Sequence, residues 1–275
     1  MKKLSVILSV LSVVFLITGC SSQTSPNHNQ SSSSTAQQSS SSQADSGQST
    51  SSASNSSSSQ ANSSSVPNVT TGSTGQVLKD VRSILKNGSE LLLPSTLPVE
   101  KGKYASAVVK NGSSGNTVSF KQTSQPVKVN DASLTTAQTV ATVKSTTYAS
   151  TSEAAKQISF HKYGKSDGSP VTLGHNITGY ADAGAGTAGT SWNEGRWTLM
   201  ALSPTSDAQK GIALAKKVVS YLEIHSLPAP HQYGLIQVYT DSRQDYIMWQ
   251  EGKTVYQLTD VNDPLKLLSV VVSMR

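Results

Sequence analysis

The chain of 275 residues carries 22 Lys+Arg against 16 Asp+Glu, with 14% charged and 35% hydrophobic residues and a single cysteine. One cysteine excludes an internal disulfide framework, and thiolate zinc sites and iron–sulfur clusters go with it. The composition is uneven, since residues 21–75 hold 24 serines and one charge, Asp45. Such a segment cannot bury enough apolar surface to offset its ordering entropy. The boundaries that follow are 1–19 for a signal peptide, 20–75 for a cysteine and a disordered tether, and 76–275 for a globular α+β domain.

Met1-Lys2-Lys3 is a short basic start, and Leu4 to Thr18 is an uncharged run of 15 residues. A spanning helix needs about 20 apolar residues, so the run fits a signal-peptide core better. It ends on Leu16-Ile17-Thr18-Gly19-Cys20, which resembles the lipobox of bacterial lipoproteins. The resemblance implies that Ile17, Thr18 and Gly19 are read by the signal peptidase. It further implies that Cys20 carries a diacylglycerol and becomes the new N-terminus, holding the protein on the outer face of the cell membrane. Two acyl chains anchor stably where one does not. The Ser/Gln/Asn/Thr-rich tether that follows has a root-mean-square reach on the order of 40 Å as a flexible coil.

Within the domain, Gln76–Asn87 carries apolar residues at 77, 78, 81, 84 and 85, the one-face spacing of a helix stopped by Gly88. Tyr104–Val109 and Thr117–Gln122 flank a Gly-rich loop and predict a hairpin. Val140–Tyr148 is β-branched and predicts a strand. Ser150-Thr151-Ser152-Glu153 is a capping box for a short helix, Glu153–Ile158. Helices are also expected from Asp207 to about His225 and from Pro264 to about Met274, the last with Asp263 as N-cap and Pro264 at its first position.

Trp192-Asn193-Glu194-Gly195-Arg196-Trp197 is echoed by Trp249-Gln250-Glu251-Gly252-Lys253, each between alternating apolar and polar residues. Each predicts a hairpin turning at Glu-Gly, and each is followed by a helix. Strand, hairpin and helix are thus expected twice, at 171–225 and 234–274. The fold expected is an antiparallel sheet with helices on one face. Trp249, Glu251, Gly252, Tyr256 and Leu258 also resemble the pattern of a small uncharacterised domain that ends surface lipoproteins of spore-forming bacteria. That resemblance covers about 40 residues and implies no catalysis.

Chemistry is harder to find. Gly184-Ala185-Gly186-Thr187-Ala188-Gly189 matches the dinucleotide spacing, but a β-hairpin rather than a helix is expected after it, so it reads as a flexible loop. His161, His175, His225 and His231 lack ligand spacing, and no metal or cofactor is expected. Glu194 and Glu251 are either solvated turn residues or, if the hairpins adjoin, a carboxylate pair. Trp192, Trp197, Trp249 and Tyr256 are either core or an aromatic platform. A binding or assembly module of the envelope is the expected function, with a wall-modifying hydrolase using the two glutamates as the alternative. Besides the membrane, the partners expected are an anionic wall polymer or an envelope protein. Nucleic acid is not expected outside the membrane.

Overall fold

The computed structural model describes residues 73–85 and 91–275. Ile17, Thr18, Gly19, Cys20 and the serine-rich stretch lie outside the described residues. The first helix, α1, spans Thr74–Ile84 and starts two residues ahead of the expected boundary, because the Ser73 side chain accepts from Gln76 N and caps it. Three strands follow, β1 (Tyr104–Asn111), β2 (Gly115–Thr123) and β3 (Gln138–Thr147). Next comes α2 (Thr151–Ala155), opened by Ser150, whose side chain accepts from Glu153 N as the capping box requires. Four strands lead to the third helix: β4 (Ser169–Gly174), β5 (Ile177–Gly184), β6 (Thr187–Glu194), β7 (Trp197–Pro204) and α3 (Ala208–Leu222). The chain closes with β8 (Gly234–Tyr239), β9 (Tyr246–Glu251), β10 (Thr254–Thr259) and α4 (Pro264–Val272).

All ten strands form one open sheet in the order β1-β2-β3-β10-β9-β8-β7-β6-β5-β4. Every neighbouring pair is antiparallel except β7 with β8, which α3 joins as a crossover. The molecule is α+β with the sheet dominant. Cross-strand partners share a face, so the registers place Ala107, Phe120, Val143, Leu258, Ile247, Ile236, Leu199 and Trp192 on one side. All of them belong to a single buried cluster that also takes Val77 and Val81 from α1, Ala215 and Val218 from α3, and Leu267 and Val271 from α4.

Helix α2 departs from the expectation of helices on one face. Its Ala154, with Ile158 beyond it, packs with Leu235 and Val255 on the opposite side of the sheet, in a second, smaller cluster. Buried Gln250 fixes this helix by donating from Nε2 to Thr151 O at 2.8 Å.

The Gly184–Gly189 stretch is also not the flexible loop expected. Ala185 and Gly186, at φ 49° and 80°, form a two-residue turn between paired Gly184 and Thr187, and the rest of the stretch is strand. The positive φ at both turn residues is the type I′ pattern that matches sheet twist. A second such turn at His175-Asn176, with φ 49° and 61°, joins β4 to β5. Four strands, β4–β7, therefore precede α3, one more than the expected strand and hairpin.

Candidate functional site

Six side chains stood out in the sequence, and the structure places all six in and around one cross-strand row, with Glu251 one step along β9 from Trp249. Glu194, Trp197, Gly234, Trp249, Tyr256 and Ser145 are successive partners on β6, β7, β8, β9, β10 and β3. Trp192 lies one step along β6 on the same face, opposite Leu199. The row packs by alternation of large and small. A Cβ on Gly234 would come within 2.4 Å of the Trp197 ring, so the indole lies flat over the glycine. Trp197 Nε1 donates to Pro228 O at 3.1 Å. Trp249 and Tyr256 stack with centroids 5.2 Å apart and planes at 16°, and the Tyr256 hydroxyl accepts from Leu92 N at 3.3 Å.

Trp192, Trp197, Trp249 and Tyr256 are exposed by 1%, 4%, 0% and 4%. That leaves almost no ring surface for a ligand, and the aromatic platform gives way to core packing. The two glutamates are not solvated turn residues either. Each sits at a hairpin end on the core side of the sheet, half-buried beside an indole. Glu194 Oε1 accepts from Trp192 Nε1 at 2.8 Å. Burial raises its pKa against the pull of that bond, and nearby Glu223 raises it further. Glu251 is raised by burial as well, with His231 and Trp249 opposing, although Trp249 Nε1 makes no hydrogen bond of normal geometry.

The two carboxylates do not form a pair. Three strand spacings separate β6 from β9, which puts them on the order of 14 Å apart. Glycoside-hydrolysing pairs stand roughly 5–9.5 Å apart. Each glutamate lines its own cleft instead. Glu194 borders a 440 Å³ groove with Arg196, Trp197, His225 and Pro228. Glu251 borders an 800 Å³ cleft with Ser114, Asn116, Ser145 and Thr254.

A third cleft, of 580 Å³, lies at the other end of the strands, between the β8–β9 and β10–α4 connections. Asp245 is 6% exposed there and accepts from Tyr239 N at 2.7 Å. Burial, then the charges of Asp263 and Asp241, pushes its carboxyl up to about 6 despite that hydrogen bond. Arg243 lies over the Tyr239 ring at 4.4 Å and grips Asp241, Nε to Oδ1 at 2.9 Å and NH2 to Oδ2 at 2.8 Å. Chemically the cleft offers one protonatable carboxyl and one fixed guanidinium. Sequence reasoning missed it, although Asp241-Ser242-Arg243-Gln244-Asp245 and Asp260-Val261-Asn262-Asp263 concentrate charge in two connections.

The histidines are dispersed. His161 Nε2 meets Asp167 Oδ1 at 2.8 Å, His175 Nδ1 lies 3.7 Å from Glu223, and His225 Nδ1 meets Tyr221 O at 2.8 Å. Among the described residues no group of three or more His, Cys, Asp or Glu is placed to hold a metal ion. Nor is any helix among them long and apolar enough to cross a membrane. Comparison with protein families, with curated proteins and with solved structures finds no match to this chain.

Proposed function

We propose that the protein is a lipid-anchored component of the outer face of a bacterial membrane, with residues 76–275 acting as a binding or assembly module of the envelope. The observation that carries the anchor is the position of Cys20. The only cysteine of the chain closes a basic start and a 15-residue uncharged apolar run at the one place a lipobox requires it. A diacylglycerol there would hold the chain, and the serine-rich segment would let the domain reach into the surrounding wall. The separation of Glu194 from Glu251 favours binding over the hydrolase alternative, because the two carboxylates that reading needs are three strands apart.

We further read β5–β7 with α3 and β8–β10 with α4 as two copies of one unit. In support, each has three antiparallel strands before its helix, and each has a Trp-x-Glu-Gly hairpin end with glycine φ of 59° and 56°.

The anchor is tested by Cys20→Ala in the exporting cell. Metabolic labelling with a radioactive fatty acid is expected to vanish, and unprocessed precursor to accumulate. Labelling of the variant at the parent level overturns the anchor.

A further inference from the structure

The side of the sheet away from the main core is covered unevenly. Helix α2 and Ile158 pack over β8 and β10, and the chain beyond bonds to Asn193 and Thr198 on β6 and β7 through His161. A short 3-10 turn, Ala132–Thr135, lies against β1, where Ser106 is buried. Between these covers β1, β2, β3 and β10 present bare sheet. Lys110, Thr117, Lys144 and Gln257 are cross-strand partners in one row, and Val108, Ser119, Thr142 and Thr259 in the next. These eight side chains are exposed or half-exposed.

The charge on this face is of one sign. The four strands contain no Asp or Glu at all, and their three lysines, 110, 121 and 144, all lie on the open side. None of the three joins an ion pair among the described residues, whereas Lys210 pairs with Asp207 and Arg243 with Asp241. Lys121 donates to Ala137 O and Thr139 Oγ1 at the margin, whereas Lys110 and Lys144 point off the sheet on either side of Thr117, roughly 10 Å apart. The carboxylates around this face, Asp131, Glu153 and Asp260, belong to the connections and to α2 rather than to the strands.

An uncovered sheet face with lysines at two-strand spacing, hydroxyls between them and no carboxylate is suited to a polymer of repeated negative charge. Val108 is the one apolar side chain of the two rows, too little for the apolar centre of a protein interface. A second copy laid face to face would set lysine against lysine.

We propose that the open face of β1, β2, β3 and β10 is the docking surface for a phosphodiester-bearing wall polymer, with Lys110 and Lys144 neutralising successive phosphates and Thr117, Ser119 and Thr142 bonding their oxygens. This rests on the envelope-binding reading and assigns its partner.

The test uses the full chain anchored in phosphatidylcholine vesicles, with labelled inorganic polyphosphate as probe. Binding is expected, and Lys110→Glu with Lys144→Glu should weaken it about tenfold or more. The dependence of log affinity on log salt should flatten by about two contacts. Lys216→Glu with Lys217→Glu, on exposed α3 positions, should leave the face dependence intact. Equal binding by the β-face variant overturns the assignment. So does loss of polyphosphate capture by the parent when phosphatidylglycerol is added to the vesicles, since the face would then be engaged by headgroups. Sedimentation with isolated cell walls separates the two levels of the reading. Failure of the parent to bind walls removes the envelope module itself. Equal wall binding by parent and variant removes only this face.

Discussion

Asp245 is the residue whose ionisation the fold resists most. Its carboxyl is shielded from water, and its neighbours Asp263 and Asp241 are of its own sign. A carboxyl raised to about 6 in the folded chain, against about 3.9 unfolded, binds its proton more tightly when folded. Between those two values the native state holds more protons, so stability falls as pH rises through the window, and the full penalty persists above it. Asp245→Asn keeps an acceptor for Tyr239 N and removes the charge. The variant should match the parent near pH 4 and exceed it by about 2 kcal/mol at pH 7.5, from the scale of one pKa unit. Urea melts at the two values decide it. An equal gap at both would mean that packing, not charge, separates the two chains. Gly234 shows the opposite kind of constraint, steric rather than electrostatic. Any side chain there would displace the Trp197 ring from its seat, and overpacking of this kind typically costs about 1–3 kcal/mol.

The two Trp-x-Glu-Gly hairpins are elements whose geometry was legible in the sequence, because a two-residue turn is a local matter. Glu194 pairs with Trp197 and Glu251 with Thr254, which leaves Gly195-Arg196 and Gly252-Lys253 as the loops. Only the glycine of each loop has positive φ, 59° and 56°, the type II′ arrangement. No neighbour lies within 4 Å of a Cβ at either position, so a side chain there meets backbone strain alone. Gly195→Val and Gly252→Val should each destabilise by about 1–3 kcal/mol, and by similar amounts. A thermal midpoint unmoved by either change would remove that glycine from the turn. The Asp263–Pro264 start of α4 and the Ser150 cap of α2 were legible for the same reason, each being set within four residues. Pairings set by distant chain were not. Nothing local in Val140–Tyr148 names β10 as a partner, nor marks β7 and β8 as parallel. The turns at His175-Asn176 and Ala185-Gly186 escaped because three of their four residues are not glycine yet take positive φ. For Trp192 and Trp249 the sequence left core and platform both open, because alternation assigns a residue to a face without saying which face is covered.

At the scale of the molecule, the beginning and end of the described chain are tied together. Arg82 on α1 donates from NH1 to Leu91 O at 3.1 Å and from NH2 to Arg275 O at 3.2 Å. Leu93 and Arg275 exchange two backbone bonds of 3.1 Å each, and Ser95 N donates to Ser273 O at 3.1 Å. Val77 and Val81 bury α1 in the same cluster as α4. A helix held by core side chains and by the C-terminal residues is part of the folded unit, not the end of a leash. Chain that is packed and hydrogen-bonded resists proteases, whereas exposed polar chain does not. Limited digestion of the full chain should therefore trim from the N-terminal side and stop near Thr74. Lys, Arg, Phe, Trp and Tyr are absent from 21–72, so a broad-specificity protease is needed. The fragment's N-terminal residue, read by sequencing or mass, gives the answer directly. A stop near Thr74 that moves to Leu91 or beyond in Arg82→Ala would show that the guanidinium bridge is what keeps α1 docked. A stop near Tyr104 in the parent would mean that α1 and the bonds of 91–96 to the C-terminal residues open together, and that the folded unit is the sheet with α2, α3 and α4.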